Sequence, residues 1–165
     1  WYRDYMNSSR TRLLSISILT TFLLSLSVSC TNAQTFKCTR VVDGDTIILS
    51  TKERVRLIGV DTPETKHPRK PVEYFGKEAS AFTKMMVEGK EVKLEYDQQQ
   101  RDKYGRLLAY VYLTNGTFLN AEIIKQGFGN AFTKFPFKYM DEFRQYEKEA
   151  REAKRGLWAD KPAKE

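Results

Sequence analysis

From Phe36 to Ser50 apolar and polar residues alternate, with Val, Ile and Thr prominent, and Asp43-Gly44-Asp45 interrupts the alternation. Period-two patterning around a Gly-centred break predicts two strands joined by a tight turn. Arg54–Val60 reads as a third strand with Val55, Leu57 and Gly59 on one face. Glu91–Asp97 reads as a fourth, with Val92, Leu94 and Tyr96 opposite Lys93 and Glu95. Leu107–Thr114 is the fifth, and Asn115-Gly116 after it is a hairpin turn signal. Helical spacing appears between and after these strands. Phe75, Ala79, Phe82 and Met86 line one stripe that Gly89 ends, Leu119–Gln126 closes at Gly127, and Met140, Phe143, Ala150 and Ala153 stripe a last helix that stops near Gly156. Leu157 and Trp158 are expected to fold back as an anchor. Five strands with three helices predict an α+β domain over residues 34–160, a small closed β-barrel of the OB-fold kind with helices packed on it. No internal repeat appears, and residues 161–165 are expected to be a disordered tail.

Composition adds a direction. The 165 residues are 41% hydrophobic and 30% charged, enough for one cored domain, and the net charge is +7. The surplus outlasts removal of residues 1–33, which hold Arg3, Arg10 and Arg12 against Asp4 alone. A basic surface attracts polyanions, or serves solubility only, and the motifs must choose. Arg10 and Arg12 precede the apolar run Leu13–Val28, which has the length of a signal-peptide core and is short for a spanning helix. Residues 1–33 are therefore expected to be a signal peptide that exports the chain to the cell envelope or medium. Two processing routes are open. Cleavage before Cys30 would make it a lipidated first residue and a membrane anchor, although Ser27 stands where such boxes usually have leucine. Cleavage after Ala33 follows the small residues Thr31-Asn32-Ala33. Cys30 and Cys38 are the only cysteines, and removal or lipidation of Cys30 leaves Cys38 without a partner, which argues against a disulfide framework and a cysteine zinc site. Cys38 is expected to be a small buried strand residue.

Several charged residues stand where strands end. Asp43-Gly44-Asp45-Thr46 places two carboxylates on one turn, which is either a plain hairpin turn or a costly acid pair that calls for a cation or donors. Arg56 lies among Val55, Leu57 and Ile58, and Asp61-Thr62-Pro63-Glu64 follows at that strand's end. Asp61 is placed to complete an oxygen set with Asp45, as hard cations require, and Glu64 to hold a water as general base. Asp102-Lys103-Tyr104-Gly105-Arg106 adds a second guanidinium beside a charge and a ring. Two arginines, a cation and a carboxylate base together suit phosphodiester hydrolysis, where negative charge builds on equatorial oxygens. The loop Thr65–Val72, with Lys66, His67, Arg69 and Lys70 between prolines, is either a solvated loop or a basic lip that touches phosphates. No Ser-His-Asp set, Gly-rich phosphate loop or zinc signature is present.

These segments together resemble the staphylococcal nuclease (thermonuclease, micrococcal nuclease) family. The resemblance rests on Asp43 to Thr46, Arg56 to Pro68, Gly76 to Thr83 with Glu78-Ala79-Ser80-Ala81-Phe82, and Asp102 to Arg106, and it runs from about Val41 to Trp158. It implies an OB-fold barrel with three helices and Ca²⁺-dependent cleavage of DNA and RNA that leaves 3′-phosphate ends. It implies carboxylate ligation of calcium by Asp45 and Asp61 and carbonyl ligation by Thr62, with Asp43 a nearby acid of lesser role. Arg56 and Arg106 would clamp the phosphate, Glu64 would position or deprotonate water, and Lys103 and Tyr104 would contact the nucleotide's terminal phosphate. The chain departs from the family beyond the short helix, where two family tyrosines are replaced within Ala131-Phe132-Thr133-Lys134-Phe135-Pro136. Phe132 and Phe135 are left to stack on a base and Lys134 to supply phosphate affinity. The expected partners are DNA and RNA, single strands preferred, with the chain a monomer that needs no protein partner and meets a membrane only through a lipidated Cys30. The rival readings are a non-catalytic OB-fold nucleic-acid-binding module of the cell envelope and an envelope adhesion domain. Loss of a ligand or an arginine would mark the first, and none is lost.

Overall fold

Strand β1 (Thr35–Asp43) is long enough to serve two neighbours, and it bends at two register shifts to do so. Its first residues pair with β5 (Glu91–Glu95) and its remainder with β2 (Thr46–Leu49), both antiparallel. Bulges of this kind add twist and let a small sheet close. β2 then pairs with β3 (Arg54–Leu57), β3 runs parallel to β6 (Leu107–Leu113), and β6 returns antiparallel to β5, which completes a closed five-stranded barrel. This computed structural model describes residues 34–65 and 71–159. The expectations for the signal segment 1–33 with Cys30, for Lys66 to Lys70, and for the tail 161–165 fall outside those residues.

The barrel is filled from the period-two positions. Val41, Ile47, Leu49, Val55, Leu57, Val92, Ala109 and Val111 are buried, and Cys38 joins them as a small buried residue. Burial pushes the Cys38 thiol up to about 11, so it is protonated and unreactive near neutral pH. Helix α1 (Gly76–Val87) lies on β1 and α2 (Leu119–Lys125) on β6. Helix α3 (Met140–Glu152) packs on α2 through Phe143 and Ala150, the middle of its expected stripe, while Ala153 is exposed past the helix end. A final 3₁₀ turn, Gly156–Trp158, folds back as expected. The Leu157 amide donates to the Gly127 carbonyl at 2.8 Å, and the Arg151 guanidinium covers the Trp158 ring. Among the described residues no helix is long and apolar enough to cross a membrane.

Two boundaries differ from the sequence expectation. Tyr96 was expected inside with Val92 and Leu94, but β5 ends at Glu95 and Tyr96 is exposed. The strand expected over Arg54–Val60 stops at Leu57. Ile58-Gly59 turns the chain, and β4 (Val60–Asp61) leaves the barrel to pair with β7 (Asn130–Ala131) in a separate two-stranded sheet. Gly59 sits at φ +73°, a conformation disfavoured for side-chain-bearing residues, and the Phe137 and Phe143 rings fill the place of a Cβ. Buried Asn120 on α2 holds the turn from beneath. Its Nδ2 donates to the Ile58 carbonyl at 2.9 Å and to the Ala109 carbonyl, and its Oδ1 accepts from the Val111 amide at 2.9 Å. A fully buried amide is tolerable here because its polar atoms are satisfied.

Candidate active site

The Asp43-Gly44-Asp45 turn is fixed from two sides. Thr83, fully buried on α1, donates its hydroxyl to the Gly44 carbonyl at 2.6 Å. Asp43 folds back on the Gly44 amide at 2.9 Å. Asp45 lies almost buried, with Oδ1 accepting from the Thr46 hydroxyl at 2.9 Å and Oδ2 from both the amide and the hydroxyl of Thr62 at 3.1 and 3.2 Å. The turn is therefore more than a hairpin connection: its second carboxylate is gripped by the segment that follows β4.

Arg56 projects from β3, where Thr46 is its partner in register, and reaches both acids. Its Nη1 contacts Asp45 Oδ2, and its Nη2 donates to Asp61 Oδ1 at 3.0 Å. Burial pushes the guanidinium's pKa down while Asp61 pulls it back up, and the nearby Arg106 charge pushes it down again. The two expected ligand carboxylates thus face one another across a positive charge, as a pair of close acids requires. Asp43 is the third acid here. Burial, and then the Glu64 carboxyl hydrogen-bonded to it, push its pKa up, against the pull of the Gly44 amide and the Thr65 hydroxyl and amide. Glu64 therefore stands in the same cluster.

Arg106 arrives from the turn before β6. Asp102 builds that turn: its Oδ1 accepts from the Tyr104 and Arg106 amides at 2.9 and 3.0 Å, and its Oδ2 from Arg106 Nε at 2.7 Å. Burial works against the Asp102 charge, yet the hydrogen bonds from Arg106 and Tyr104 hold its pKa below the usual range. Arg106 itself lines the cleft.

These groups line one polar cleft of about 440 Å³ that includes Asp43, Asp45, Arg56, Asp61, Thr62, Glu64 and Arg106. Arg56 and Arg106 also line a larger, less polar groove of about 1180 Å³. Lys103, Tyr104, Phe132, Lys134 and Phe135 are all on its wall, and Phe135 is 63% exposed. The Phe132 and Phe135 rings lie 6.2 Å apart, and Lys103 and Arg106 flank the Tyr104 ring. Among the candidate site residues, only Lys70 and Cys30 fall outside the described residues. Arg54, Thr46, Thr65 and Glu73 also border the cleft or its acids, and no role for them follows from the sequence. For Thr46 and Thr65 the signal was adjacency to the acid motifs, whereas Glu73 carried no pattern.

Among the described residues no three acid, histidine or cysteine side chains converge as a ready-made metal cage. The residues present nevertheless fit a hard cation. The ligands that the family resemblance implies, Asp45, Asp61 and the Thr62 carbonyl, would offer oxygen alone, and such ions complete their shells with water. The facing carboxylates already attract a positive group, since Arg56 bridges them.

Comparison with known proteins identifies the family. A family profile described as "Staphylococcal nuclease homologue" matches residues 54–160. The thermonuclease of Staphylococcus hyicus is 44% identical over 140 residues, 82% of this chain and 82% of that protein. The thermonuclease of Staphylococcus intermedius is 48% identical over 123 residues, 72% and 73% of the two chains. Endonuclease YncB of Bacillus subtilis (strain 168) is 42% identical over 126 residues, 73% of this chain and 59% of that protein. With the closed five-stranded barrel, the three helices and these matches, the chain belongs to the staphylococcal nuclease homologue family.

Proposed function

We propose that this family member is an exported nuclease that hydrolyses phosphodiester bonds of DNA and RNA with Ca²⁺, prefers single strands, and leaves 3′-phosphate ends. The observation that carries the reading is the meeting of two guanidiniums, Arg56 and Arg106, with the acids Asp45, Asp61 and Glu64 in one cleft, the same two arginines also lining an aromatic groove. The scissile phosphate sits between Arg56 and Arg106, whose paired N–H groups match phosphate oxygens and take up the charge that grows on them. Glu64 orients a water and accepts its proton as the oxygen attacks phosphorus. The 5′ P–O bond breaks, its electrons stay on the departing oxygen, which takes up a proton from solvent to become the 5′-hydroxyl, and the phosphate remains on the 3′ side. Asp45, Asp61 and the Thr62 carbonyl would hold Ca²⁺, which would supply fixed positive charge and Lewis acidity beside the reacting phosphate.

The groove supports the preference for single strands. Phe132, Phe135 and Tyr104 offer ring faces on which unpaired bases stack, and Lys134 and Lys103 lie among them for the backbone. Phenylalanines in this wall give stacking without a hydroxyl, so affinity there comes from ring area and lysine charge. Export is supported by the basic start and apolar run of residues 1–33, by either processing route. The protein acts alone in this reading, as a monomer. The test is digestion of single-stranded DNA by the protein with added Ca²⁺ and with a chelator, followed by end-group analysis. Cleavage that stops in chelator and leaves 3′-phosphates is expected. Undiminished cleavage in chelator would overturn the metal assignment, and 3′-hydroxyl ends would overturn the bond assignment.

A further inference from the structure

The segment Thr62–Thr65 has no ladder of its own, yet each of its backbone amides is bound by a carboxylate. Asp45 takes the Thr62 amide, Pro63 has none, Glu73 takes the Glu64 amide at 3.1 Å, and Asp43 takes the Thr65 amide at 3.3 Å. Asp45 and Asp43 belong to the acid cluster already described. Glu73 borders the same cleft from another element: it lies nine residues beyond Glu64, in the turn that enters α1. The contact is reciprocal, because the Glu73 amide donates to the Glu64 carbonyl at 3.0 Å. The same turn closes on itself through the Gly76 amide and the Glu73 carbonyl at 3.1 Å. It also sits hard against the segment. A Cβ on Gly76 would lie 3.1 Å from the Pro63 carbonyl oxygen, 3.3 Å from that of Glu64 and 2.9 Å from the Thr65 methyl. The Glu64 backbone is therefore clamped on one side by the turn and on the other by Asp43 and Asp45.

We propose that Glu73 is a positioning residue for Glu64: its carboxylate and amide, bonded to the Glu64 amide and carbonyl, fix where the Glu64 side chain projects into the cleft. The inference rests on the reading of Glu64 as the base. A base must stand within hydrogen-bond reach of the attacking water, and a misplacement of about 1 Å costs up to about 100-fold in rate. Truncating Glu73 removes the carboxylate that holds the Glu64 amide and leaves only the amide-to-carbonyl bond on that side, so the Glu64 backbone is free to shift. Glu73 itself is exposed, so its truncation opens no cavity in the core.

The test is a kinetic cycle on the full chain with single-stranded DNA and Ca²⁺. Glu73→Ala is expected to lower kcat about tenfold with KM within about twofold. Glu73→Gln keeps an oxygen that accepts from the Glu64 amide and is expected to stay within about twofold of wild type in both. In a Glu64→Gln background, Glu73→Ala is expected to lower kcat no further. Unchanged kcat in Glu73→Ala, equal losses in the Ala and Gln variants, or an undiminished effect in the Glu64→Gln background would each overturn the positioning role while leaving Glu64 its own. Wild-type turnover in Glu64→Gln alone would instead fell the base assignment, and this inference with it.

Discussion

Replacing Arg56 is expected to lower the rate of cleavage more than the stability of the fold. The guanidinium contacts Asp45 Oδ2 and lies 3.0 Å from Asp61 Oδ1. At that distance and an effective dielectric of 20, a unit charge pair is worth about 5.5 kcal/mol before solvation costs. The Asp61 side chain is 50% exposed, and solvent screening brings the net value to about 1 kcal/mol or less for that pair. Asp45 keeps three other donors, the Thr46 hydroxyl and the Thr62 amide and hydroxyl, so loss of the arginine does not leave it orphaned. Arg56→Ala should therefore cost about 1–2 kcal/mol of stability, measurable by urea denaturation. The rate should fall far more. A preorganised donor aimed at developing charge is worth about 100- to 1000-fold, or roughly 2.7–4 kcal/mol. Arg56→Lys keeps a charge but not the planar fork, and should recover only part of the loss. The assay is steady-state cleavage of single-stranded DNA at saturating Ca²⁺, with kcat/KM converted to free energy for comparison with the denaturation result. An Arg56→Ala enzyme within about threefold of wild type, or one whose stability loss equals its rate loss, would refute the assignment.

Three further outcomes are expected. Phe135→Ala removes an exposed ring from the groove and should raise KM about tenfold with kcat little changed, since stacking one base is worth about 1–3 kcal/mol; steady-state kinetics showing an unaltered KM would count against a base on this wall. Asp97 accepts from the Tyr110 hydroxyl at 2.6 Å and the Lys138 amide at 2.9 Å, and chiefly the tyrosine bond holds its pKa below the usual value. Its folded pKa being the lower one, the stabilisation is present above the unfolded pKa and is lost as pH falls through the folded one. Asp97→Asn should thus cost about 1–2 kcal/mol at pH 7 and nearly nothing once both states are protonated in acid; a deficit in urea denaturation that does not shrink with falling pH would contradict it. Asn120→Ala leaves the Val111 amide and the Ile58 carbonyl without their partner and should cost about 2–4 kcal/mol, with turnover per folded molecule also reduced because the turn before Asp61 loosens; a stability loss under about 0.5 kcal/mol would show that the amide network is dispensable.

The barrel was legible in the sequence because its strands face the core on one side and solvent on the other, so Ile47, Leu49, Val55, Leu57, Val92 and Val111 fall on a period of two. The helices were legible for the same reason at their own period. β7 was not, since two residues, Asn130 and Ala131, hold no period at all. Glu73 was not either: an exposed acid in a turn has no pattern to betray it, and its two bonds to Glu64 exist only once the chain has folded back. Asp45, Arg56, Asp61 and Arg106 stand out in the sequence as charges beside apolar strands, their separate roles come from the family resemblance, and the fold brings the four to one cleft.

The boundary that the sequence pattern obscured is the one that makes this cleft. Successive residues of a strand point to opposite faces, so two residues an odd number apart cannot share a face. Arg56 and Asp61 are five apart, and had β3 run on through Val60 into Asp61, the carboxylate would have faced away from the guanidinium. The turn at Ile58-Gly59 breaks the alternation, and Arg56 Nη2 and Asp61 Oδ1 then meet at 3.0 Å. The Ile58 carbonyl is held by Asn120 and the Gly59 carbonyl accepts from the Phe132 amide at 2.9 Å, so the same two-residue break is tied to the helix beneath it and to the start of the aromatic wall beside it. Apolar Ile58 and Val60 on either side of Gly59 read as one continuous strand, and only the glycine signals otherwise. A local departure from strand geometry, tolerated because Asn120 satisfies the backbone it frees, is what brings Asp61 back to Arg56 and ties that pair to the start of the groove.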